Sequence, residues 1–386
     1  MRIAIDMRPL QSSSRFRGIG TLVRKLVEAL SAIESEHEFA LIYANSTKPT
    51  DSDFQYPKNF KKLVINCELE GFSSLIMNWT HGNKHLLRML NDFSANIYLC
   101  TTFAEMWIPP APHFAHTITW VYDLIFFKYK KQYVRTPREF LKKNLWNRKL
   151  ERITKSDAIL TISESTVKDI ADFIPEFRKR TYVIPLGVDK RFFEPILEKV
   201  NAALNLPDKY ILYVGGIDPR KNLRRALEAY ASVLSSIDLP PIAIAGKMDN
   251  SHPDYKKLMQ IIAKLKLDKK IIFCGFVSDG QLPAVYASAE FLLFPSLDEG
   301  FGLPVLEAMA AGCPVLTSNT SSMPEVADNA AMLINPISVD EIANGIATLI
   351  SDANLRKKLS ILGIERAKLF TWASSARKVL QIIEST

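Results

Sequence analysis

The sequence predicts an α/β chain built as two doubly wound, parallel-sheet domains, and three observations carry that prediction. A chain of 386 residues is too long for one ordinary core and suits two domains of somewhat under roughly 200 residues each. Short β-rich apolar runs alternate with helical patterns in both halves, which implies parallel sheets wrapped by right-handed crossovers. The run Val183-Ile184-Pro185-Leu186-Gly187-Val188-Asp189 ends a strand in Pro and Gly before a polar connector, as a domain joint does.

In the first half, strands are predicted at 2–7, 39–43, 62–65, 97–99, 117–121 and 158–161. Between the first two, 21–33 has helical spacing, with Leu22, Leu26, Leu30 and Ile33 on one face. The second half repeats the pattern. Its strands are expected at 210–214, 242–245, 271–273, 291–294, 314–317 and 331–334, with helices at 223–234, 254–264, 282–288 and 305–311. Ligands of such sheets bind beyond the carboxyl ends of the strands, so the loops there are where chemistry is expected.

Composition fits a globular chain, with 47% hydrophobic and 23% charged residues. Cys67, Cys100, Cys274 and Cys313 lie in apolar or small-residue runs without metal-ligand spacing. They read as buried free thiols in a reducing, cytoplasmic compartment. Met1-Arg2-Ile3-Ala4-Ile5-Asp6 is too briefly apolar for a signal peptide, and no run of roughly 18 uninterrupted apolar residues marks a spanning helix.

The net charge of +8 is concentrated locally. Eleven Lys and Arg fall between Lys128 and Lys155 against Glu139 and Glu151, interleaved with Phe126, Phe127, Tyr129, Tyr133, Phe140 and Trp146. Two readings stay open. One is a solvated helix with an apolar inner face. The other is a surface for peripheral contact with anionic lipid at the inner face of a membrane, or with a pyrophosphate-bearing acceptor. Nucleic acid is disfavoured, because no recognition motif accompanies the charge.

The chemistry is expected in Phe294-Pro295-Ser296-Leu297-Asp298-Glu299-Gly300-Phe301-Gly302-Leu303-Pro304-Val305-Leu306-Glu307, which runs on to Gly312. An apolar strand ends there in an acidic loop. Gly300 and Gly302 admit unusual backbone angles and close ligand approach, while Pro304 and Gly312 suit the first turn and the C-cap of a helix. The helix N-terminus then meets whatever the loop holds, and a diphosphate is its natural guest. Glu299 on the loop and Glu307 about one turn into the helix would grip different parts of one extended ligand, since carboxylates accept hydrogen bonds from sugar and ribose hydroxyls. Taken singly, each reads as a turn residue or a dipole partner. The combination argues for a site.

This segment resembles the signature of a large family of retaining, metal-independent glycosyltransferases that includes bacterial mannosyl- and glucosyltransferases and sucrose synthase. That signature is Glu-x7-Glu with an internal Gly-Phe-Gly, matched by Glu299 through Glu307. The resemblance implies a GT-B fold, with two Rossmann-like domains facing a central cleft. It implies an acceptor-binding domain over residues 1–186, completed by a C-terminal helix at 372–386, and a donor-binding domain over 187–371. Glu299 and the backbone of Gly300, Phe301, Gly302 and Leu303 would hold the donor sugar and diphosphate, and Glu307 the nucleotide ribose.

Other segments extend the likeness. In the run from Tyr210 to Leu223 a strand leads through Gly215 and Gly216 to Arg220 and Lys221, cations that oppose the dipole of the helix they precede. Lys221 matches the family lysine that neutralises the donor diphosphate. Gly216 stands where the family's arginine is usual, which leaves Arg220 as the substitute. Gly275-Phe276-Val277-Ser278 resembles the loop whose backbone reads the nucleobase, so Phe276 and Val277 join the donor set. Thr161-Ile162-Ser163-Glu164-Ser165-Thr166 resembles a segment near the end of the first domain. Phe370-Thr371-Trp372 resembles the point where the last helix crosses back, although Trp372 alone reads as a packing residue.

On the acceptor side, Arg17-Gly18-Ile19-Gly20 resembles the family's flexible glycine loop, Gly18 and Gly20 being its candidates. It is no dinucleotide fingerprint, since it lies about eleven residues past the strand and lacks a third glycine. Many members carry His-Asp where this chain has Tyr122-Asp123, within Trp120-Val121-Tyr122-Asp123-Leu124. Tyr122 therefore occupies the histidine position, and Asp123 is left to orient an acceptor hydroxyl. His81, His85, His113 and His116 read as surface or packing residues.

The resemblance, together with the basic segment, implies a reaction that moves a hexose, mannose favoured, from a nucleoside-diphosphate sugar, GDP-mannose favoured, to a glycan or lipid-linked glycan in cell-surface polysaccharide synthesis. No metal or other cofactor is expected. Two further readings stand beside it: a nucleotide-sugar epimerase of the same architecture, which would lack the Glu299–Glu307 signature, and a non-catalytic carbohydrate- or membrane-binding protein.

Overall fold

The computed structural model describes residues 1–16, 18–45, 49, 54–67, 69, 83–101, 103, 112–129, 147–195, 204–252 and 254–386. Arg17, His81, Tyr133, Phe140, Trp146 and six of the eleven basic residues between Lys128 and Lys155 lie outside them. So does most of the segment for which membrane contact was expected. Contacts divide the chain into two compact units, Met1–Gly187 with Trp372–Thr386, and Val188–Thr371.

The first unit holds β1 (Arg2–Asp6), β2 (Glu38–Ala44), β3 (Phe60–Ile65), β4 (Ile97–Cys100), β5 (His116–Val121), β6 (Ala158–Thr161) and β7 (Thr181–Val183). They form one parallel sheet in the order β3-β2-β1-β4-β5-β6-β7. Strands such as β4 and β6 are buried at every position and apolar except at Thr161, as expected of a parallel sheet covered on both faces. The helices include α1 (Gly18–Ser31), α2 (Asn83–Asp92), α3 (Ile125–Lys128) and α4 (Glu164–Phe173). Leu22, Leu26 and Leu30 face the core. Ile33, expected on that same face, lies beyond the helix end and is half-buried, because α1 stops at Ser31.

Order reverses between β1 and β4, and a buried polar group sits at that switch. The Arg8 guanidinium meets the Asp6 carboxylate at 2.5 and 2.8 Å, and the Tyr98 hydroxyl donates to the same carboxylate at 2.9 Å. Arg8 and Asp6 are 1% and 0% exposed, so each charge is tolerable only because the pair is bidentate and further hydrogen-bonded.

The second unit repeats the plan with β8 (Ile211–Val214), β9 (Ile242–Ala245), β10 (Ile271–Gly275), β11 (Phe291–Phe294), β12 (Val315–Ser318) and β13 (Met332–Ile334). Their parallel order is β10-β9-β8-β11-β12-β13. The crossovers include α5 (Leu223–Leu234), α6 (Tyr255–Lys264), α7 (Leu282–Ala287), α8 (Leu303–Ala310) and α9 (Met323–Ala327), followed by α10 (Val339–Ser351) and α11 (Ala353–Ala367). The switch point falls between β8 and β11, so the loops leaving these two strands are where this sheet would bind a ligand.

The last helix, α12 (Trp372–Ser385), belongs to the first unit. The Ser375 hydroxyl donates to the Pro185 carbonyl at 2.6 Å, and His37 Nε2 lies 3.0 Å from Glu384 Oε1. All four cysteines are free thiols. Three are buried, but Cys274 is only half-buried, because its strand β10 is the edge of the second sheet.

Candidate functional site

The two loops at the β8/β11 switch are stitched together before any ligand need be considered. After β8 the chain passes Gly215 and Gly216. A tight 3-10 turn, Pro219–Lys221, follows, capped by Asp218, whose carboxylate accepts the Arg220 N–H at 3.0 Å. Asn222 adopts left-handed backbone at φ 62°, a conformation that Asn tolerates better than most residues. The Tyr213 hydroxyl fixes the turn from below by donating to the Lys221 carbonyl at 2.9 Å. From the other side, Leu297 N–H donates to the Arg220 carbonyl at 2.7 Å.

That stitching brings three predicted residues onto one another. Glu299 Oε1 lies 2.6 Å from Lys221 Nζ, and Glu299 Oε2 accepts from Arg220 Nη1 at 2.9 Å. Arg220 Nε holds Asp218 at 3.0 Å, and the Lys221 ammonium sits 4.7 Å from the Phe294 ring centroid. Burial opposes the Glu299 charge, but Lys221 and Arg220 outweigh it and hold the carboxyl below its ordinary value. The Ser296 hydroxyl adds a hydrogen bond at 2.6 Å. Ser321, left-handed at φ 57°, accepts the Glu299 N–H at 3.1 Å, and Ser322 donates to the Glu299 carbonyl at 2.9 Å. Glu299 is therefore fixed at side chain and main chain alike.

Beyond it, Gly300, Phe301 and Gly302 lead into α8. Of the two glycines only Gly302 is left-handed, at φ 101°, and it serves as the N-cap from which Leu303 and Pro304 start the helix. A Cβ at Gly302 would come within 2.2 Å of the Met323 methyl carbon. Phe301 is buried against Phe370, ring centroids 5.9 Å apart and nearly perpendicular. Gly312 is left-handed at φ 72° just past the helix end.

Glu307 stands apart from this cluster, on the second turn of α8 and half-buried. The hydroxyl of buried Tyr286 donates to its Oε2 at 3.1 Å. Burial is the main force on its carboxyl and pushes it up to about 8, with Tyr286 and Arg191 pulling down and Asp279 and Asp189 pushing up. Arg191 Nη2 is 3.6 Å from Asp279, a residue of the loop after β10. Gly275, the last residue of β10, is left-handed at φ 68°, and in the loop that follows Phe276 is exposed and Val277 is buried.

The other candidates lie in the first unit. Gly18 opens α1 with open space around it, whereas a Cβ on Gly20 would strike the Arg15 backbone at 2.7 Å. Gly20 thus answers a steric need. Tyr122 is 4% exposed and its hydroxyl donates to the Thr101 carbonyl at 2.8 Å. The Asp123 carboxylate accepts the Ile125 N–H at 3.1 Å, which starts α3. Among the described residues, no group of three or more His, Cys, Asp or Glu is placed to hold a metal ion, and no helix is long and apolar enough to cross a membrane.

Sequence reasoning missed Ser296, Ser321, Ser322, Tyr286 and Arg191. The hydroxyls carry no periodic signal, and Tyr286 and Arg191 reach the site from elements distant in sequence. Asn222 carried a signal, an Asn directly after two cations at a strand–turn–helix junction, that was not used.

Two parallel-sheet units with ligand loops at a switch point define a GT-B fold. Sucrose-phosphate synthase from Thermosynechococcus elongatus shares it, with a TM-score of 0.74 at 20% identity over 100% of this chain and 98% of that one. Residues 197–366, which lie within the second unit, match the family described as "Glycosyl transferases group 1". Across 99% of its length the chain is 27% identical to the "Serotype-specific mannosyltransferase WbdA" of Escherichia coli. It spans about half of that relative, 48% of its length. The "O-antigen chain mannosyltransferase B" of Escherichia coli is 28% identical over 70% of each chain.

Proposed function

We propose that this chain is a retaining, metal-independent hexosyltransferase that moves mannose from GDP-mannose to a glycan or lipid-linked glycan in cell-surface polysaccharide synthesis, at the cytoplasmic side of a membrane. The observation that carries the reading is the convergence of Lys221 and Arg220 on Glu299 at the β8/β11 switch. Two cations beside a fixed carboxylate suit a diphosphate joined to a sugar: the cations receive the phosphate charge and the carboxylate accepts sugar hydroxyls. Support for mannose and for a surface-glycan acceptor comes from the similarity to the serotype-specific mannosyltransferase WbdA and the O-antigen chain mannosyltransferase B.

In this reading the first unit carries the acceptor and the second the donor. The bond between the anomeric carbon and the diphosphate oxygen breaks while the acceptor oxygen bonds to the same face of that carbon. The acceptor proton passes to the departing phosphate oxygen, and Asp123 orients the acceptor hydroxyl. Lys221 and Arg220 stabilise the charge that develops on the leaving group, a preorganised effect worth about 10²–10³ in rate per donor removed. Glu307 holds the nucleotide ribose, the backbone of Gly300 through Leu303 joins Glu299 in holding the donor sugar and diphosphate, Gly215 and Gly216 line the nucleotide, and the backbone at Phe276 and Val277 reads the base.

The test has two parts. GDP, UDP, ADP and dTDP are screened for thermal stabilisation, with GDP expected to give the largest shift. Transfer is then measured for Lys221→Ala and Glu307→Ala, each expected to lose turnover while keeping the wild-type circular-dichroism spectrum. Normal turnover in both rejects the site. A donor converted without any acceptor favours the epimerase reading, and nucleotide stabilisation without turnover favours a non-catalytic binder.

A further inference from the structure

We propose that Glu299 also discriminates between the sugar-bearing donor and the nucleoside diphosphate left after transfer, competing with the product's terminal phosphate for Lys221 and Arg220. The inference rests on the glycosyl-transfer reading above and adds to it a means of expelling product.

The geometry is specific. Each oxygen of the Glu299 carboxylate is committed to a different cation, Oε1 to Lys221 at 2.6 Å and Oε2 to Arg220 at 2.9 Å. Ser296 holds Oε1, and Ser321 and Ser322 hold the main chain, so the carboxylate is not free to swing aside. Arg220 is further engaged by Asp218 at 3.0 Å. Two positive charges thus face two negative ones, and the cluster is close to neutral before a ligand arrives.

A diphosphate entering such a cluster shares the cations with a fixed anion. The donor is a diphosphate diester with one charge on each phosphate. Its sugar caps the terminal phosphate, and its hydroxyls donate to Glu299. Once the sugar is gone, the terminal phosphate carries an additional charge and brings no hydroxyl donors. Glu299 then changes from an acceptor satisfied by the ligand to a like charge a few ångströms from it, and because Glu299 is buried such repulsion is strong. One carboxylate therefore favours the substrate and disfavours the product, which matters because product release limits many enzymes.

The experiment titrates GDP and GDP-mannose against the full chain and its Glu299→Gln variant, which keeps the side-chain shape and removes the charge. GDP is expected to bind the variant about tenfold tighter than wild type, a change of about 1.4 kcal/mol. GDP-mannose is expected to bind no tighter. A residue that merely contacts ligand would give the opposite sign for GDP. GDP affinity unchanged or weakened in the variant overturns the proposal. Should the variant fail to fold, wild type is compared with GDP and with GDP methylated on its terminal phosphate. The capped nucleotide, carrying one charge fewer, is expected to bind more tightly, and a preference for GDP overturns the proposal. A wild-type chain that binds GDP but shows no such discrimination refutes this inference alone. One that binds no nucleoside diphosphate refutes the glycosyl-transfer reading, and this inference with it.

Discussion

The side-chain amide of Asn222 donates to the Pro295 carbonyl at 2.9 Å and to the Pro336 carbonyl at 2.6 Å. One residue in left-handed backbone therefore ties the turn carrying Arg220 and Lys221 to the exit of β11, where the loop to Glu299 begins. This side chain thus helps to fix the spacing of the two cations from their carboxylate.

Asn222→Ala should accordingly lower stability by roughly 2–4 kcal/mol, since it strands two buried carbonyls and places a less suitable residue at positive φ. Asn222→Gly restores the backbone freedom without the hydrogen bonds and should fall between. Urea denaturation of the three proteins measures the order. A glycine variant as stable as wild type removes the two bonds from the account.

Glu307 makes stability depend on pH in a stated direction. Its carboxyl is raised from 4.5 to about 8, so between those values the folded protein keeps a proton that the unfolded chain has released. Stability is then highest below about pH 4.5 as far as this group is concerned, falls as pH rises toward 8, and levels off above it. Glu307→Gln should flatten that part of the profile. Melting midpoints taken between about pH 5 and 9 should fall several degrees less in the variant than in wild type.

The left-handed Gly302 predicts an asymmetric rescue. Gly302→Ala should destabilise by roughly 1–3 kcal/mol from backbone strain, plus the clash with Met323. Adding Met323→Ala relieves the clash and leaves the strain, so the double variant should recover part of what the glycine change loses and still bind nucleotide more weakly than Met323→Ala alone. Complete recovery in calorimetric titrations would show that space and not backbone angle selects glycine here.

Phe370 packs edge-on against Phe301 in the loop that leads into α8. Its own ring lies 5.0 Å from the Arg366 guanidinium, whose Nη2 is anchored to the Glu325 carbonyl at 2.7 Å. Phe370→Leu keeps an apolar side chain but loses both ring contacts, with an expected stability loss of about 0.5–1.5 kcal/mol from those contacts. The donor KM should rise several-fold while the acceptor KM stays constant. A change confined to the acceptor would contradict this role.

The elements most legible in the sequence were those buried on every side. The runs at 158–161, 242–245 and 291–294 coincide with β6, β9 and β11, and 223–234 with α5, because continuous apolar stretches and a clean helical face have one way to be buried. Boundaries moved where local turns decide them. α8 begins at Leu303, two residues before the expected 305, because left-handed Gly302 completes the turn. In the site, charged residues on strand-end loops were visible, since a chain has little other reason to gather Arg220, Lys221 and Glu299 there. The hydroxyls that orient Glu299 were not, because a serine in a loop reads the same whether it faces solvent or a neighbouring main chain.

The second unit runs unbroken from Val188 to Thr371, while the first needs residues on either side of it. During synthesis the ribosome therefore finishes the whole nucleotide-binding candidate before the chain emerges that lets α12 cover its partner unit. A fragment spanning 188–371 should be the easier piece to excise, and cutting after Thr371 should injure the unit that lies almost entirely upstream of the cut.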